Sequence, residues 1–521
     1  MTVGSLLKEE ELARRFGMSV LSSLPSPSAD KERYKQLPYA FAKKHVLVPL
    51  EEKEGRLILA VADPLNLTAL EEARFLTGML IEAVYAPKEA ILAAIQEAYN
   101  TERGAASQWL AKLSDPKERE EDEVEVFDLL DQSKDQSPVV QLLNLILTEA
   151  IQQRASDIHF EPSLEGMRVR YRIDGVLQNR HSPPQEHQSQ LLTRIKVMAK
   201  LDIAEHRLPQ DGRMKLKMGQ HEIDFRVSTV PVSGGERIVL RILDKGSVLL
   251  GLDQMGMRAA LLQQLNKLIH LPEGIILVTG PTGSGKTTTL YSAICDLASD
   301  EINIMTIEDP VEYNLRGIAQ IGVHHKIKLT FATGLRHILR QDPDVIMVGE
   351  IRDKETAEIA IQAALTGHLV LTTLHTNDAP SAITRLVEMG IEPYLLSSCI
   401  VGVLAQRLVR KICPDCREEY VPTEQEVKSL GLGPQEILYR GRGCSSCYGT
   451  GFHGRRGIYE LMVVNHAITQ QILQTPDGVA MRKVALAEGM TSLLQHGASL
   501  VVEGVTTVGE VLRVARGIEG G

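Results

Sequence analysis

Hydrophobic and polar positions in the first 100 residues change between helical and strand-like spacing. Apolar residues recur at helical spacing in three stretches and fill two short runs between them. The predicted elements are helices at residues 37–44, 67–76 and 87–99 and strands at residues 45–50 and 56–62. This order predicts a small N-terminal α/β domain over residues 1–100. Because it carries no catalytic constellation, we expect this domain to be an adaptor.

The apolar pattern stops over residues 101–137, where polar and charged residues dominate. Residues 118–125 are strongly acidic. Such a composition cannot bury enough apolar surface to order itself, so we predict a flexible acidic linker. A solvated helix is the alternative.

The pattern returns at Pro138, where several apolar residues lie on one face of a predicted helix. Further on, apolar and polar residues alternate as they do in half-buried strands, and Asp174 with Gly175 gives a strong hairpin signal. The predicted strands cover residues 167–173, 222–227 and 236–243, and a further helix covers residues 188–200. These elements predict an α+β domain over residues 138–245.

The chain from residue 246 to 521 alternates short apolar runs with helical stretches. Strands alternating with helices imply a mostly parallel sheet with right-handed crossovers. The predicted strands are residues 275–279, 303–307, 345–348 and 369–374, with helices that include residues 287–297 and 354–366. We also predict a core helix at residues 394–404 and helices from about residue 456 to the end.

Composition and charge disfavour nucleic-acid binding, and the hydropathy pattern disfavours a membrane-spanning protein. The chain is 43% hydrophobic and 24% charged, as is ordinary for a soluble globular protein. Its net charge of −10 and its aromatic content of 4% give little for binding or stacking on nucleic acid, so we expect no nucleic-acid partner. We see no signal peptide at residues 1–16 and no apolar run of the roughly 20 residues that span a bilayer. We therefore expect membrane contact only through protein partners.

A phosphate-binding pattern lies between a predicted buried strand and a predicted helix. Glycines there let backbone N–H groups turn inward around phosphate oxygens, and the helix start adds partial positive charge. Lys286 is placed to reach the β- and γ-phosphates, and the Thr287 hydroxyl to bind Mg²⁺. A chance glycine-rich turn is the alternative. The pattern comprises Gly280, Pro281, Thr282, Gly283, Ser284, Gly285, Lys286 and Thr287, and Thr288 extends the predicted nucleotide-binding set.

Acidic residues and one histidine follow three of the predicted strands. The carboxyl ends of parallel strands form the edge at which such sheets bind ligands. Glu350 follows four apolar residues and a glycine, a position from which a carboxylate can orient or deprotonate the attacking water. Glu308, Asp309 and Glu312 could hold Mg²⁺ or its waters, and His375 could donate to the γ-phosphate. For each carboxylate alone, a surface charge is the alternative.

The α+β domain is rich in arginine. For any single one, a solvated face or a structural ion pair is the simpler interpretation. Taken together, we expect one or two of them to approach the nucleotide, including from a neighbouring subunit. These arginines are Arg207, Arg213, Arg226, Arg237 and Arg241.

Four of the six cysteines form two CxxC pairs. Two such pairs can supply four thiolates to a closed tetrahedral site that suits Zn²⁺ and leaves no open position for catalysis. We therefore predict a structural zinc site, with a redox pair or unligated thiols as the alternatives. Its predicted ligands are Cys413, Cys416, Cys444 and Cys447.

Together these motifs resemble the secretion ATPase superfamily, which drives type II secretion and type IV pilus assembly. The likeness extends over residues 138–515 and more weakly over residues 1–100. It implies a RecA-like P-loop ATPase core, an α/β fold, preceded by an α+β (PAS-like) domain and the small α/β domain, with a zinc-binding insert at about residues 410–450. The motifs that carry it are the Walker A loop at residues 280–287, the Asp box at 306–313, the Walker B segment at 344–350, the His box at 366–379 and the tetracysteine insert.

The resemblance implies a homohexamer that hydrolyses ATP with Mg²⁺. In that family pattern Glu350 activates water and His375 senses the γ-phosphate, with Lys286, Glu308 and Glu312 completing the expected catalytic set. Arg213, Arg226 and Arg241 are, by analogy, the candidates for contacting nucleotide across domains or subunits. An arginine delivered in this way is worth roughly 10³–10⁵ in rate in other phosphate-transfer enzymes.

The resemblance also distinguishes two systems. The tetracysteine site looks like that of the assembly ATPases, and the single short N-terminal domain looks most like that of the type II secretion ATPases. We therefore expect a cytoplasmic ATPase, peripheral on the inner membrane, that powers pseudopilus assembly and protein export. Residues 1–100 would dock on inner-membrane platform and cytoplasmic-adaptor proteins. A type IV pilus assembly ATPase is the alternative; a nucleic-acid motor or a small-molecule kinase is disfavoured.

Overall fold

The computed structural model divides the chain into two compact units, residues 1–246 and 247–521. Within the described ranges, no helix is both long enough and apolar enough to cross a membrane. The residues that the structure describes are 13–21, 24, 37, 39–53, 56–99, 127–128, 137–163, 166–218, 221–244, 251–434 and 437–515.

A three-stranded sheet with helices forms the first part of unit 1. β1 is antiparallel to β2, and β2 is parallel to β3. The sequence pattern predicted α/β structure here but missed β3, whose first residues are partly exposed and short of apolar alternation. The elements are α1 (Tyr39–His45), β1 (Leu47–Lys53), β2 (Arg56–Val61), α2 (Leu67–Thr77), β3 (Leu80–Tyr85) and α3 (Lys88–Tyr99).

The predicted linker at residues 101–137 lies almost wholly outside the described residues. Two of its residues form the short strand β4 (Phe127–Asp128), which pairs in parallel with the strand at residues 210–218. The flexible character of the rest stays a prediction, as do the predicted domain bounds.

A seven-stranded sheet and two helices form the second part of unit 1. One sheet face packs against the helices through buried residues such as Phe160, Tyr171, Phe225 and Leu240. The sheet order is β4-β8-β9-β10-β5-β6-β7. The elements are α4 (Pro138–Gln152), β5 (Ala155–Ser163), β6 (Gly166–Ile173), β7 (Val176–His181), α5 (Gln188–Met198), β8 (Gln210–Met218), β9 (His221–Val232) and β10 (Gly235–Asp244).

Unit 2 is built on a second seven-stranded sheet, of order β13-β12-β14-β15-β11-β16-β19. Every pair in it is parallel except β16 with β19, so the predicted parallel sheet is confirmed. The strands are β11 (Gly274–Thr279), β12 (Ile304–Glu308), β13 (Ala319–Gly322), β14 (Val345–Val348), β15 (Leu369–Leu374), β16 (Ile400–Ile412) and β19 (Phe452–Val463); β17 (Arg417–Tyr420) and β18 (Leu438–Gly441) pair separately.

Helices cover both faces of this sheet, because its strands are apolar on both sides. The helices are α6 (Ala259–Ile269), α7 (Lys286–Leu297), α8 (Phe331–Ile338), α9 (Lys354–Leu365), α10 (Pro380–Glu388), α11 (Pro393–Cys399), α12 (Glu424–Ser429), α13 (His466–Gln474), α14 (Gly478–Ala487), α15 (Leu493–Val502) and α16 (Val508–Ala515).

The structure corrects two predicted helices. The core helix expected at residues 394–404 ends at Cys399, and Ile400 begins the long strand β16. β-branched Ile400 and Val401 favour a strand, and residues 402–407 are all buried, as expected of a strand between two neighbours. The helices expected from about residue 456 begin only after β19, which pairs with β16 up to Val463. The last part of the predicted helical stretch, residues 516–521, lies outside the described residues.

Candidate nucleotide site and metal centre

The phosphate-binding loop joins the end of β11 to the start of α7. Gly280 has φ +151°, and a Cβ there would lie 2.4 Å from the carbonyl oxygen of Gln406. Gly285 has φ +89°, and a Cβ there would lie 2.8 Å from the side-chain Nε2 of Gln406. Both positions therefore require glycine, for conformation and for space. The buried Ser284 Oγ has no hydrogen-bond partner among the described residues, so the loop offers an unused polar group as well as backbone donors.

Lys286, the first residue of α7, is almost fully buried within this loop. Its Nζ donates to the carbonyl oxygens of Gly280 at 2.8 Å and Pro281 at 3.2 Å. Burial lowers the pKa of Lys286 to about 8, and the negative charge of Glu350 opposes that shift. A partly desolvated ammonium group in a cradle of backbone donors is suited to bind phosphate.

Glu350 lies at the same edge of the sheet, two residues beyond β14. Its carboxylate forms a very short hydrogen bond with Arg352, and its Oε2 lies 3.6 Å from Nε2 of His375. Burial alone would raise the pKa of Glu350, but Arg352, His375 and Lys286 outweigh it and the pKa is lowered. Glu350 is thus held ionised at neutral pH, the form that can accept a proton.

His375 follows β15 directly and is about half exposed. Partial burial, and then the charge of Lys286, lower its pKa, while Glu350 opposes the shift. The next residue, Thr376, ties this segment to β11: its backbone N–H donates to Thr279 Oγ1 at 2.9 Å. The structure therefore brings Lys286, Glu350 and His375 together, as the placement after parallel strands predicted.

Glu308, the last residue of β12, is buried rather than exposed at the edge. Its carboxylate accepts a very short hydrogen bond from the Tyr291 hydroxyl. Thr306 Oγ1 and Gln320 Nε2 also donate to it, at 2.6 and 3.0 Å. Burial and this bond raise the pKa of Tyr291. Of the three carboxylates that the sequence grouped together, Glu308 is thus buried, whereas Asp309 and Glu312 are only partly buried. Asp309 lies 3.4 Å from Arg352.

The three arginines singled out by resemblance lie in one row across the sheet of unit 1. Arg213 is the cross-strand partner of Arg226, and Arg226 is that of Arg241. The row continues to Asp157 and Arg172. Arg241 Nε lies 2.9 Å from Asp157 Oδ1. Adjacent like charges on a sheet are unfavourable, and within this row Asp157 offsets the charge of Arg241.

The two other arginines of the predicted group have nearby carboxylates. Arg207 is exposed and lies 3.4 Å from Glu205. Arg237 lies 2.9 Å from the buried Glu161, which also pairs with Arg168 and Arg170. For Arg207 and Arg237 the structure therefore shows ion pairs, the simpler interpretation that the sequence analysis gave for any single arginine.

Sequence reasoning missed two groups of residues at the site. Arg352 was visible two positions after Glu350, in a motif already under consideration, and it forms the closest contact of that carboxylate. Gln406 and Arg407 gave no local signal, because they lie on β16, a strand that the sequence pattern did not predict and whose first residues it assigned to a helix at 394–404.

The four predicted zinc ligands come together in the insert after β16. Their sulfur atoms lie 3.8 Å apart in the pairs Cys413–Cys444 and Cys416–Cys447 and 3.7 Å apart in Cys444–Cys447. A tetrahedral site with Zn–S bonds of about 2.3 Å requires sulfurs about 3.8 Å apart. The four residues therefore fit a zinc ion, and all four ligand atoms lie within 4.8 Å of one another.

Glycines let the two cysteine segments approach closely. A Cβ on Gly441 would lie 2.0 Å from the carbonyl oxygen of Gly451, and one on Gly443 would lie 2.6 Å from that of Gly449. The Cys413 N–H donates to the Gly451 carbonyl at 2.9 Å. Backbone contact at this distance aligns the two cysteine segments.

Two family models match the chain. The model described as Type II/IV secretion system protein covers residues 132–513, and the model described as MshEN domain covers residues 16–105.

Curated relatives are similar over nearly the full length. The chain is 48% identical to "Type II secretion system protein E" of Pseudomonas aeruginosa, over 95% of this chain and 99% of the relative. It is 44% identical to "Type IV pilus assembly ATPase PilB" of Myxococcus xanthus, over 96% of this chain and 89% of the relative.

A solved structure supports the fold. The ATPase DotB of Legionella pneumophila matches with a TM-score of 0.54 and 22% identity, over 75% of this chain and 99% of that chain. Together with the family models, this confirms the predicted fold class.

Proposed function

The chain belongs to the type II/IV secretion system protein family and is an ATPase, and we propose that it powers pseudopilus assembly and protein export through a type II secretion system. The observation that carries the chemistry is the convergence of Glu350, His375 and Lys286 at one edge of the parallel sheet. The alternative target, a type IV pilus, rests on the strong match to the Myxococcus xanthus protein.

ATP is proposed to bind at the loop of residues 280–288. When bound, its triphosphate supplies the bond that is cleaved, and Mg²⁺ supplies charge neutralisation. Lys286 binds phosphate oxygens, and Thr287 offers its exposed hydroxyl to the metal. Glu350 orients and deprotonates the attacking water, while Arg352 holds its carboxylate in place. His375 senses the γ-phosphate from beside Glu350.

Arg213, Arg226 and Arg241 are proposed to meet nucleotide in the assembled homohexamer. Their row of adjacent positive charge is suited to an anionic ligand. Asp157 would position Arg241, since its carboxylate accepts a hydrogen bond from the Arg241 Nε. The family resemblance suggests that these arginines contact nucleotide, and the sheet register shows that they lie side by side.

Of the three acidic candidates for the metal, Glu312 is the best placed, because Glu308 already accepts three hydrogen bonds and Asp309 lies 3.4 Å from Arg352. Glu308→Gln is expected to lower Tm by roughly 5 °C, since an amide leaves a buried donor poorly satisfied. The Mg²⁺ concentration for half-maximal hydrolysis should not change. The comparison is Glu312→Gln, which should raise that concentration. If the Mg²⁺ concentration for half-maximal hydrolysis rises in the Glu308→Gln variant instead, Glu308 would be the metal-binding residue.

The zinc site is proposed as structural, and residues 1–100 as the docking module for an inner-membrane platform or adaptor protein. The chain would then act in the cytoplasm as a peripheral protein of the inner membrane. The match of residues 16–105 to a separate domain model supports an independent role for this segment.

The proposed function is tested by recovering partners from solubilised inner membranes with the full chain as bait. We expect type II secretion platform components with the full chain and none with a chain lacking residues 1–100. Both baits should keep basal ATP hydrolysis, which shows that the shortened chain is folded. Recovery of pilus-assembly components would favour the alternative. Equal recovery by both baits would remove the docking role from residues 1–100.

A further inference from the structure

Strand β16 runs beside the phosphate-binding loop. Ala405 on β16 pairs with Thr279, the last residue of β11. Gln406 and Arg407 therefore extend past the point where β11 gives way to the loop. The carbonyl of Gln406 lies so close to Gly280 that a side chain there would collide with it. β16 thus forms one wall of the phosphate-binding loop.

Consecutive strand residues face opposite sides of a sheet, and these two reach different partners. Gln406 accepts a hydrogen bond from Thr289 Oγ1 of α7 at 2.6 Å. Arg407 reaches the other side, where its Nη2 donates to the backbone carbonyl of Asn377 at 2.9 Å and to its Oδ1 at 3.1 Å. Arg407 therefore connects the wall of the phosphate-binding loop to the segment that begins with His375.

Arg407 is unusual in its surroundings. Only 6% of its surface is exposed, and it forms no ion pair within 4.0 Å among the described residues. Its Nη1 has no hydrogen-bond partner there. Burial lowers its pKa, and Asp378 and Glu460 oppose that shift from a distance. A buried guanidinium without a paired carboxylate is costly, so filling space is a poor account of an arginine at this position.

The segment around Asn377 is fixed on either side by other contacts. Thr376 is bound to Thr279. Asp378 lies 2.7 Å from Arg482, and the Ala379 N–H donates to Glu460 at 2.9 Å. Arg407 supplies the contact in the middle, at Asn377. Because Arg407 directly follows Gln406 on β16, its contact with Asn377 links this segment to the wall of the phosphate-binding loop.

We propose that Arg407 is a positioning residue for ATP hydrolysis: it holds the segment of residues 375–379 so that His375 lies beside Glu350. Its contacts join the wall of the phosphate-binding loop to this segment, so a displacement on one side is passed to the other. This inference rests on the proposed role of His375 at the γ-phosphate.

The test is a double-mutant cycle between Arg407→Gln and His375→Asn in the full chain, with Mg²⁺ and ATP. Each single variant is expected to lower kcat by about 10- to 100-fold, because a small misplacement at a reacting centre has effects of this size. The KM for ATP should change less than threefold. If Arg407 acts through His375, the double variant loses little more kcat than the single His375→Asn variant.

Two further variants separate positioning from general packing. Arg407→Lys keeps a buried donor and should recover part of kcat, and it enters the same cycle if Arg407→Gln does not fold. Arg410→Gln changes a half-buried arginine on the same strand that pairs with Glu510 at 2.7 Å. This control should lower Tm but leave kcat within about twofold.

The outcomes that overturn the proposal differ from those that overturn the role of His375. Losses that multiply in the double variant would show that Arg407 acts independently of His375. A lower Tm with unchanged kcat would make Arg407 purely structural. Normal hydrolysis by the His375→Asn single variant would remove the role proposed for His375, and with it the function of this contact, while leaving the assignment of Glu350 intact.

Discussion

The Glu350→Gln variant is expected to bind ATP about as tightly as the unchanged chain and to hydrolyse it at least about 100-fold more slowly. A positioned general base typically contributes 10²–10⁴ in rate, and an amide cannot accept the proton. The substitution preserves size and retains one oxygen for Arg352. It also removes a negative charge beside Lys286 and His375, so nucleotide affinity should not fall.

The measurement is nucleotide affinity from a fluorescent ATP analogue, together with phosphate release under saturating ATP. Glu358→Gln is the matched control, since Glu358 is exposed on α9 and forms only an i,i+4 pair with Lys354 at 3.6 Å. The control should keep both affinity and rate. Full hydrolysis by Glu350→Gln would remove Glu350 as the base, and loss of binding would indicate that its charge supports the loop instead.

The convergence of Lys286, Glu350 and His375 could be predicted from sequence for a simple reason. Each follows a short, buried, largely apolar strand, directly or after a short loop, and parallel strands place their carboxyl ends at one edge. Local pattern and topology agree here, and the four strands predicted in this domain all lie in the parallel part of the sheet.

Arg407 could not be found in this way, because its role depends on the register between β16 and β11. That register is set by packing between segments more than 100 residues apart along the chain, which local pattern does not record. The run from residue 394 to 404 is mostly apolar with no clear period, so the pattern does not distinguish a buried helix from a buried strand. The row formed by Arg213, Arg226 and Arg241 depends on register for the same reason.

The burial of Glu308 could not be predicted from the sequence either, because it depends on side chains from other elements. A carboxylate at the end of a strand is expected near solvent and metal. Here Tyr291 from α7 and Gln320 from β13 reach it from two sides. Neither residue stands out in the sequence, because a tyrosine on an apolar helix face is ordinarily read as core.

Removing zinc is expected to have the largest effect on stability. Cys413→Ser should abolish stoichiometric zinc binding and lower the Tm of unit 2 by about 10 °C. Structural zinc sites contribute roughly 10–16 kcal/mol of apparent binding energy in small peptides. At 2–4 °C per kcal/mol in a domain of this size, a loss of only about 3–5 kcal/mol of that energy lowers Tm by about 10 °C. Cys295→Ser is the matched control, since Cys295 is exposed and lies outside the cluster.

The effect should extend to catalysis through β16. This strand passes the phosphate-binding loop at Gln406 and ends at Ile412, next to Cys413. Loss of the metal frees the carboxyl end of the strand, so kcat of Cys413→Ser should fall more than KM rises, even below its Tm. Zinc content measured by elemental analysis and hydrolysis measured at 20 °C give the two readouts. Wild-type Tm in a zinc-free Cys413→Ser variant would mean that the backbone contacts at Gly441 and Gly451 hold the insert without metal.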